Sequence, residues 1–288
     1  MFGLKEILEQ IEQLGDYDLH DILSKRKTVK WCEWHLNIGK NKNVIRIAEK
    51  FHEEVKKRLK SSSNITRDID MIKTTFLEFL PPGGNDSNDI KNYLGQALTN
   101  NDPVMIIKAY TVSQNLTKRL HLHSAVNTYH SLKLYCTLLN CPILAQTQEY
   151  TEAFTRILFH PKLEQYLVGA MQVYRGAVFD ENKFVDNYEE GATIITTTFL
   201  STSAKPAVAA MFCDPSEVMN KISLFCTYNL KNTNRPTALD LRNISVRPNE
   251  EEILILRYVP FKIQSVERQD DGRRIVIRFD QCEEQLTV

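Results

Sequence analysis

Through the first half of the chain, apolar residues recur at three- and four-residue steps. Leu4, Ile7, Leu8, Ile11 and Leu14 make one stripe of an amphipathic helix, and Val44, Ile47, Ala48, Phe51, Val55 and Leu59 make another in a charged background. A third helix is expected from about Ile69 to Leu80, where Pro81-Pro82-Gly83-Gly84 stops it. The stretch from Pro81 to Asp89 reads as a linker. Asp102-Pro103 is a helix start, because aspartate caps open N–H groups and proline suits the first helical position. A further helix is expected from about Gln146 to Phe159, ahead of His160-Pro161.

From about residue 171 the period shortens. β-rich runs bounded by Gly, Asn, Asp or Pro cover Gln172 to Tyr174, Thr193 to Phe199, Ile222 to Tyr228, Ile253 to Leu256, Phe261 to Val266 and Arg274 to Phe279. Their spacing leaves room for one short helix, Lys205 to Phe212, and none for regular βαβ crossovers. The expected fold class is α+β, with a helical N-terminal half followed by an antiparallel, sandwich-like β half. We divide the chain into a helical accessory region over 1–90 and a larger domain over 91–288. That domain has a helical lobe over 100–168 and a β core over 171–282.

Composition narrows this little: 42% hydrophobic and 25% charged residues among 288 are ordinary for a globular chain. Lys+Arg and Asp+Glu are both 36, which excludes a wholly basic surface but not a local patch. Residues 25–60 hold Lys25, Arg26, Lys27, Lys30, Lys40, Lys42, Arg46, Lys50, Lys56, Lys57, Arg58 and Lys60 against four glutamates, with both tryptophans, Trp31 and Trp34. Basic side chains interleaved with aromatics suit a polyanion such as nucleic acid. A helical region with a solvated charged face and tryptophans in its core accounts for the same residues, and we prefer it.

No run approaches the ~20 apolar residues of a membrane helix. The opening MFGLKEILEQIEQL lacks the basic, apolar and cleavage segments of a secretory signal. A cytoplasmic or otherwise intracellular chain is expected, with export by another route left open. The cysteines Cys32, Cys136, Cys141, Cys213, Cys226 and Cys282 have no metal-ligand spacing, so no metal site is expected and the thiols read as reduced and buried.

Three segments of the β half carry chemistry. Tyr174-Arg175-Gly176 puts an arginine at a strand end. Phe199-Leu200-Ser201-Thr202-Ser203 closes a β-rich run with three hydroxyls. Glu250-Glu251-Glu252 leads directly into the apolar strand Ile253 to Leu256. A carboxylate at the mouth of a buried strand is partly desolvated, and strand alternation would put Glu250 on the face of Glu252. Two converging carboxylates raise at least one pKa, as acid/base or cation-stabilising work requires. An acidic loop with all three side chains in water is the plain alternative.

Taken in this order, the three segments resemble the Arg–Ser–Glu signature of mono-ADP-ribosyltransferases, the group of binary and C3-like toxins and of the vertebrate arginine-specific ecto-enzymes. Ser201 follows Arg175 by 26 residues and Glu252 follows Ser201 by 51, which suits the family's compact core. Softer matches are Gly191, Ala209, Phe212, Ser245, Pro248 and the stretch from Ile106 to Tyr166, so the resemblance covers about residues 100–282. The ecto-enzymes' signal peptide and paired cysteines are not seen here.

The resemblance implies that 91–288 is a catalytic domain with NAD as co-substrate and no metal. It implies Arg175, Ser201, Glu250 and Glu252 as catalytic residues. Tyr174, Arg175, Gly176, Ser201, Thr202, Ser203 and Phe212 would contact NAD. Gly176 would let backbone approach the nicotinamide amide, and Phe212 would pack on the nicotinamide ring or in the core. Glu at position 250 goes in this family with an arginine acceptor, so a protein substrate carrying that arginine is the implied partner. An NAD glycohydrolase, and an inactive binding module on the same fold, are the alternatives.

Overall fold

In a computed structural model of the chain, residues 34–39, 57, 65–77, 85–131, 142–181, 188–213, 220–233 and 235–282 are described. The helix expected over 4–14, all but residue 57 of that expected over 44–59, most of the basic stretch 25–60, and Cys32, Cys136 and Cys141 lie outside them.

The helical lobe consists of α1 (Ile65–Leu77), α2 (Asn85–Asn100), α3 (Pro103–Val112), α4 (Gln114–Ser131) and α5 (Pro142–Leu158). Asp102 caps α3 as expected, its Oδ1 accepting from the Val104 N–H at 3.0 Å with Pro103 in the first position. Helix α1 begins before Ile69, because Ile65, Ile69 and Ile72 form its buried stripe. The linker expected up to Asp89 is shorter than drawn. Asn85 already opens α2, where the acidic and polar residues of this stretch suit the positive end of the helix dipole. Asp68 of α1 accepts two bonds from Arg156 Nε at 3.1 Å and one from its Nη2 at 2.5 Å, fixing α1 to α5.

The β half consists of β1 (His35–Gly39), β2 (Met171–Asp180), β3 (Thr193–Thr196), β4 (Leu200–Ser203), β5 (Lys221–Leu230), β6 (Ala238–Asp240), β7 (Glu252–Ile255), β8 (Pro260–Gln269) and β9 (Arg274–Gln281). Helix α6 (Pro206–Met211) sits between β4 and β5. The expected sandwich is one hydrogen-bonded sheet in the order β1-β3-β8-β9-β5-β2-β4-β7-β6. Its neighbours are antiparallel except β5 and β9, which run parallel. Strands β2 and β4 share a single register pair, Tyr174↔Ser203, so the sheet opens there into two halves.

The run Thr193 to Phe199, expected as one strand, explains the opening. It breaks after Thr196, with β3 pairing to β1 and β8 and β4 pairing to β7. The crossover is pinned by hydroxyls and a cation. Thr196 donates to the Leu256 carbonyl at 2.9 Å, and Thr128 donates to that of Thr197 at 2.6 Å. Arg257, 1% exposed, donates to Thr197 O, Thr155 Oγ1, Ser124 O and Thr128 Oγ1.

Strand β1 was not legible as a strand, since its five residues lie in a stretch read as helical. His35 anchors it, bonding the Tyr228 hydroxyl at 3.0 Å and that of Tyr188 at 3.2 Å. Burial, and then the charge of Arg175, hold this imidazole neutral by lowering its pKa to about 3. The boundary drawn at residue 90 is therefore crossed by a sheet edge and by the α1–α5 ion pair. One core joins Val173, Tyr228, Leu254 and Phe261 of the sheet to Ile106, Tyr110 and Phe154 of the lobe.

Candidate active site

The three segments come together because their strands are consecutive neighbours, β2-β4-β7. Ser201 is the hub. Its carbonyl accepts from Arg175 Nη1 at 2.5 Å, and its hydroxyl donates to the carboxylate of Glu252. Ser201 lies opposite Leu254, two residues on from Glu252, so the hydroxyl reaches the acid diagonally across the β4–β7 pair. Thr202 turns the other way and donates to the Ile253 carbonyl at 2.5 Å. Ser203 Oγ accepts from the Lys205 N–H at 3.1 Å, fixing the turn between β4 and α6.

Glu252 is 4% exposed. Burial, opposed by the Ser201 bond and reinforced by the charge of Glu250, raises its pKa from 4.5 to about 7. All three acids cannot be in water, then, and the middle one has a different task. Glu251 adopts a left-handed backbone (φ 49°), and its carbonyl accepts from the Ala204 N–H at 2.9 Å. Its carboxylate pairs with Lys205 at 2.7 Å and lies 3.9 Å from Arg242. It thus ties the acid segment to the serine segment.

That geometry corrects the alternation argument. Strand β7 begins only at Glu252, while Glu250 ends a 3-10 turn, Pro248–Glu250. Pro248 and the left-handed Glu251 replace the pleat that would have put Glu250 and Glu252 on one face. The two still sense each other, as the Glu250 charge on Glu252 attests. Half-buried Glu250 is held by Arg247 Nη1 at 3.3 Å, and Arg247 Nη2 donates to the Val112 carbonyl at the end of α3.

Not every expected contact gathers here. Tyr174 alternates to the face of β2 opposite Arg175, where its hydroxyl donates to Gln172 Oε1 at 2.6 Å and its ring tilts over Phe225. Gly176 shares that face. A Cβ there would lie 2.0 Å from the Ala209 carbonyl and 2.5 Å from Cys213 Sγ, so the glycine is required by α6 packing on β2. Phe212, at the end of α6, is 50% exposed, which removes the core-packing alternative.

Three residues escaped the sequence reading. Arg247 had a faint signal, three positions before Glu250. Buried Tyr110 and His121 in the lobe had none. Their hydroxyl–Nε2 bond is 3.0 Å; the charge of Arg175 reaches both, and that of Glu252 reaches Tyr110. Burial and then Arg175 lower the His121 pKa to about 3, so the pair is neutral beside the charged site.

With this arrangement in view, a family model described as ADP-ribosyltransferase exoenzyme matches residues 84–283. The chain belongs to that family. As an ADP-ribosyltransferase exoenzyme it is an NAD-dependent mono-ADP-ribosyltransferase, and the three segments all fall within the matched residues. No curated protein matches the sequence. Solved structures similar to it include Vis toxin, an ADP-ribosyltransferase from Vibrio splendidus. Identity there is 16%, over 85% of this chain and 88% of that one, with a TM-score of 0.39. Exoenzyme S from Pseudomonas aeruginosa, in complex with human 14-3-3 protein beta and bound to carba-NAD, is 17% identical over 76% and 88%, at 0.42. The type III effector XopAI from Xanthomonas axonopodis pv. citri is 13% identical over 84% and 94%, at 0.48. Among the described residues, no group of three His, Cys, Asp or Glu could hold a metal ion, and no helix is long and apolar enough to cross a membrane.

Proposed function

We propose that this ADP-ribosyltransferase transfers ADP-ribose to arginine side chains. The observation that carries the reading is the pair of unlike carboxylates. Glu252 is buried and bonded to Ser201, and Glu250 stands half-exposed at the mouth with a guanidinium already 3.3 Å away.

The reaction breaks the bond between nicotinamide nitrogen and ribose C1′, with the bonding electrons leaving on nicotinamide. Positive charge grows at C1′, and the Glu252 carboxylate stabilises it in a low-dielectric setting where such interactions are strong. Ser201 keeps that carboxylate aimed. Arg175 supplies a rigid donor fork for the dinucleotide phosphates or the adjoining ribose. It suits an anion, because among the described residues its Nε is buried without a partner and only Nη1 is hydrogen-bonded to protein. The acceptor guanidinium, with a pKa above ~12, is a poor nucleophile until a carboxylate takes its proton, and Glu250 is the group at hand. One new bond joins guanidinium nitrogen to C1′, and the displaced proton leaves through Glu250.

NAD consumption with and without agmatine, a small arginine mimic, tests the reading. Turnover should rise with agmatine and yield ADP-ribosyl-agmatine. Glu252→Gln should lower turnover at least about a thousandfold. Glu250→Gln should abolish transfer while NAD hydrolysis survives. Turnover indifferent to agmatine would instead mark a glycohydrolase, and equal activity of wild type and Glu252→Gln would remove the mechanism.

A further inference from the structure

Arg175 is held from a direction that the matched family region does not include. Trp34 precedes residue 84 by fifty positions, yet its ring lies 4.0 Å from the Arg175 guanidinium carbon. The ring is 6% exposed and tilts against Phe179 at 5.1 Å between centroids. Its backbone is fixed too, since the Trp34 carbonyl accepts from the Thr197 N–H at 3.0 Å and the next residue opens β1. One face of the guanidinium is thus covered by an indole, and Nη1 is tied to the Ser201 carbonyl.

The chemistry of the holder matters. A long arginine side chain must be ordered before it can grip a phosphate, and ordering it in advance saves that cost at binding. A carboxylate would order it but would compete with an anionic ligand for the same charge. An indole face attracts the cation through its quadrupole and leaves the net charge intact. Among the described residues, no carboxylate pairs with Arg175.

We propose that Trp34 is a positioning residue for NAD, fixing the plane of Arg175 so that the guanidinium edge facing away from Ser201 meets the dinucleotide. The proposal rests on the role given to Arg175 above. It also assigns a task to residues 34–39, ahead of the matched family region: β1 forms one edge of the sheet, and Trp34, just before it, covers Arg175.

Steady-state kinetics of full-length Trp34→Leu and Trp34→Phe test it. In Trp34→Leu the KM for NAD should rise about tenfold, equivalent to about 1.4 kcal/mol. Its kcat should stay within about twofold, because Trp34 touches no reacting group. Trp34→Phe, with a weaker π face, should fall between, at about threefold in KM. An unchanged KM in Trp34→Leu, a Trp34→Phe as impaired as Trp34→Leu, or a fall in kcat at unchanged KM would each overturn the proposal.

If Trp34→Leu does not fold, Trp34→Tyr and Trp34→Phe decide, and KM values equal to wild type in both would overturn it. If wild type turns over no NAD, the functional reading has failed rather than this one. Trp31→Phe protein then leaves Trp34 as the reporter: its emission should change on adding carba-NAD, and no change would reject the proposal.

Discussion

Glu252 carries the heaviest electrostatic load of any single residue in the site. The unfolded chain releases its proton near the ordinary 4.5, whereas the folded chain holds it until about pH 7. Between these values the native state binds the extra proton, so stability falls as pH rises. The penalty is absent below the lower value and complete above the upper one, at about 3 kcal/mol. Glu252→Gln stays neutral throughout. Its stability relative to wild type should therefore be about 3 kcal/mol greater at about pH 8 than at about pH 4, by urea unfolding. A constant difference would mean that Glu252 ionises as in water. The carboxylate proposed above to stabilise C1′ should impose the same value on catalysis. In wild type, kcat/KM for NAD should show an acidic limb with its midpoint near pH 7.

At the scale of elements, the site depends on how closely α6 lies on β2. Gly176 sets that distance, because a methyl group there would meet the Ala209 carbonyl at 2.0 Å. Backbone cannot swing aside as a flexible side chain can. Gly176→Ala should therefore lift α6 from β2 and destabilise the fold by about 3 kcal/mol in urea unfolding. It should also disturb Lys205, which precedes α6 and holds Glu251. A variant as stable as wild type would show that α6 shifts freely. Elements of this kind were the most legible part of the sequence. Runs such as Ile222 to Tyr228 announce strands by composition, and Asp102-Pro103 announces α3 by cap chemistry. Strand β1, the three-residue β6 and the left-handed Glu251 were not legible, because long-range pairing decides each of them. Resemblance to the family motifs named Arg175, Ser201 and Glu252 as candidates without structure, and the fold places their three strands side by side. Strand alternation alone turns Tyr174 away from Arg175, but no local pattern could have revealed that Trp34 lies on Arg175.

For the whole molecule, the question is what keeps lobe and sheet in one arrangement, since Glu250 belongs to a loop that leans on α3 through Arg247. Arg257 is the chief fastener. It is fully buried just after β7, and its guanidinium reaches α4 through Ser124 and Thr128, α5 through Thr155, and the β3–β4 crossover through Thr197. Burial lowers its pKa from the ordinary arginine value, yet the four acceptors are dipoles aimed at one cation. Losing it frees three elements at once. Arg257→Met keeps much of the volume and removes the charge along with the donors. It should cost about 3 kcal/mol, the order expected when a buried, hydrogen-bonded charge is deleted. Hydrogen exchange should show where: amides of α4, α5 and residues 196–203 should lose protection together, while β8 and β9 keep theirs. KM for an arginine mimic should rise with the loosened lobe, because Glu250 loses its fixed backing. Protection lost evenly across the sheet would mean that Arg257 serves general core packing rather than the junction.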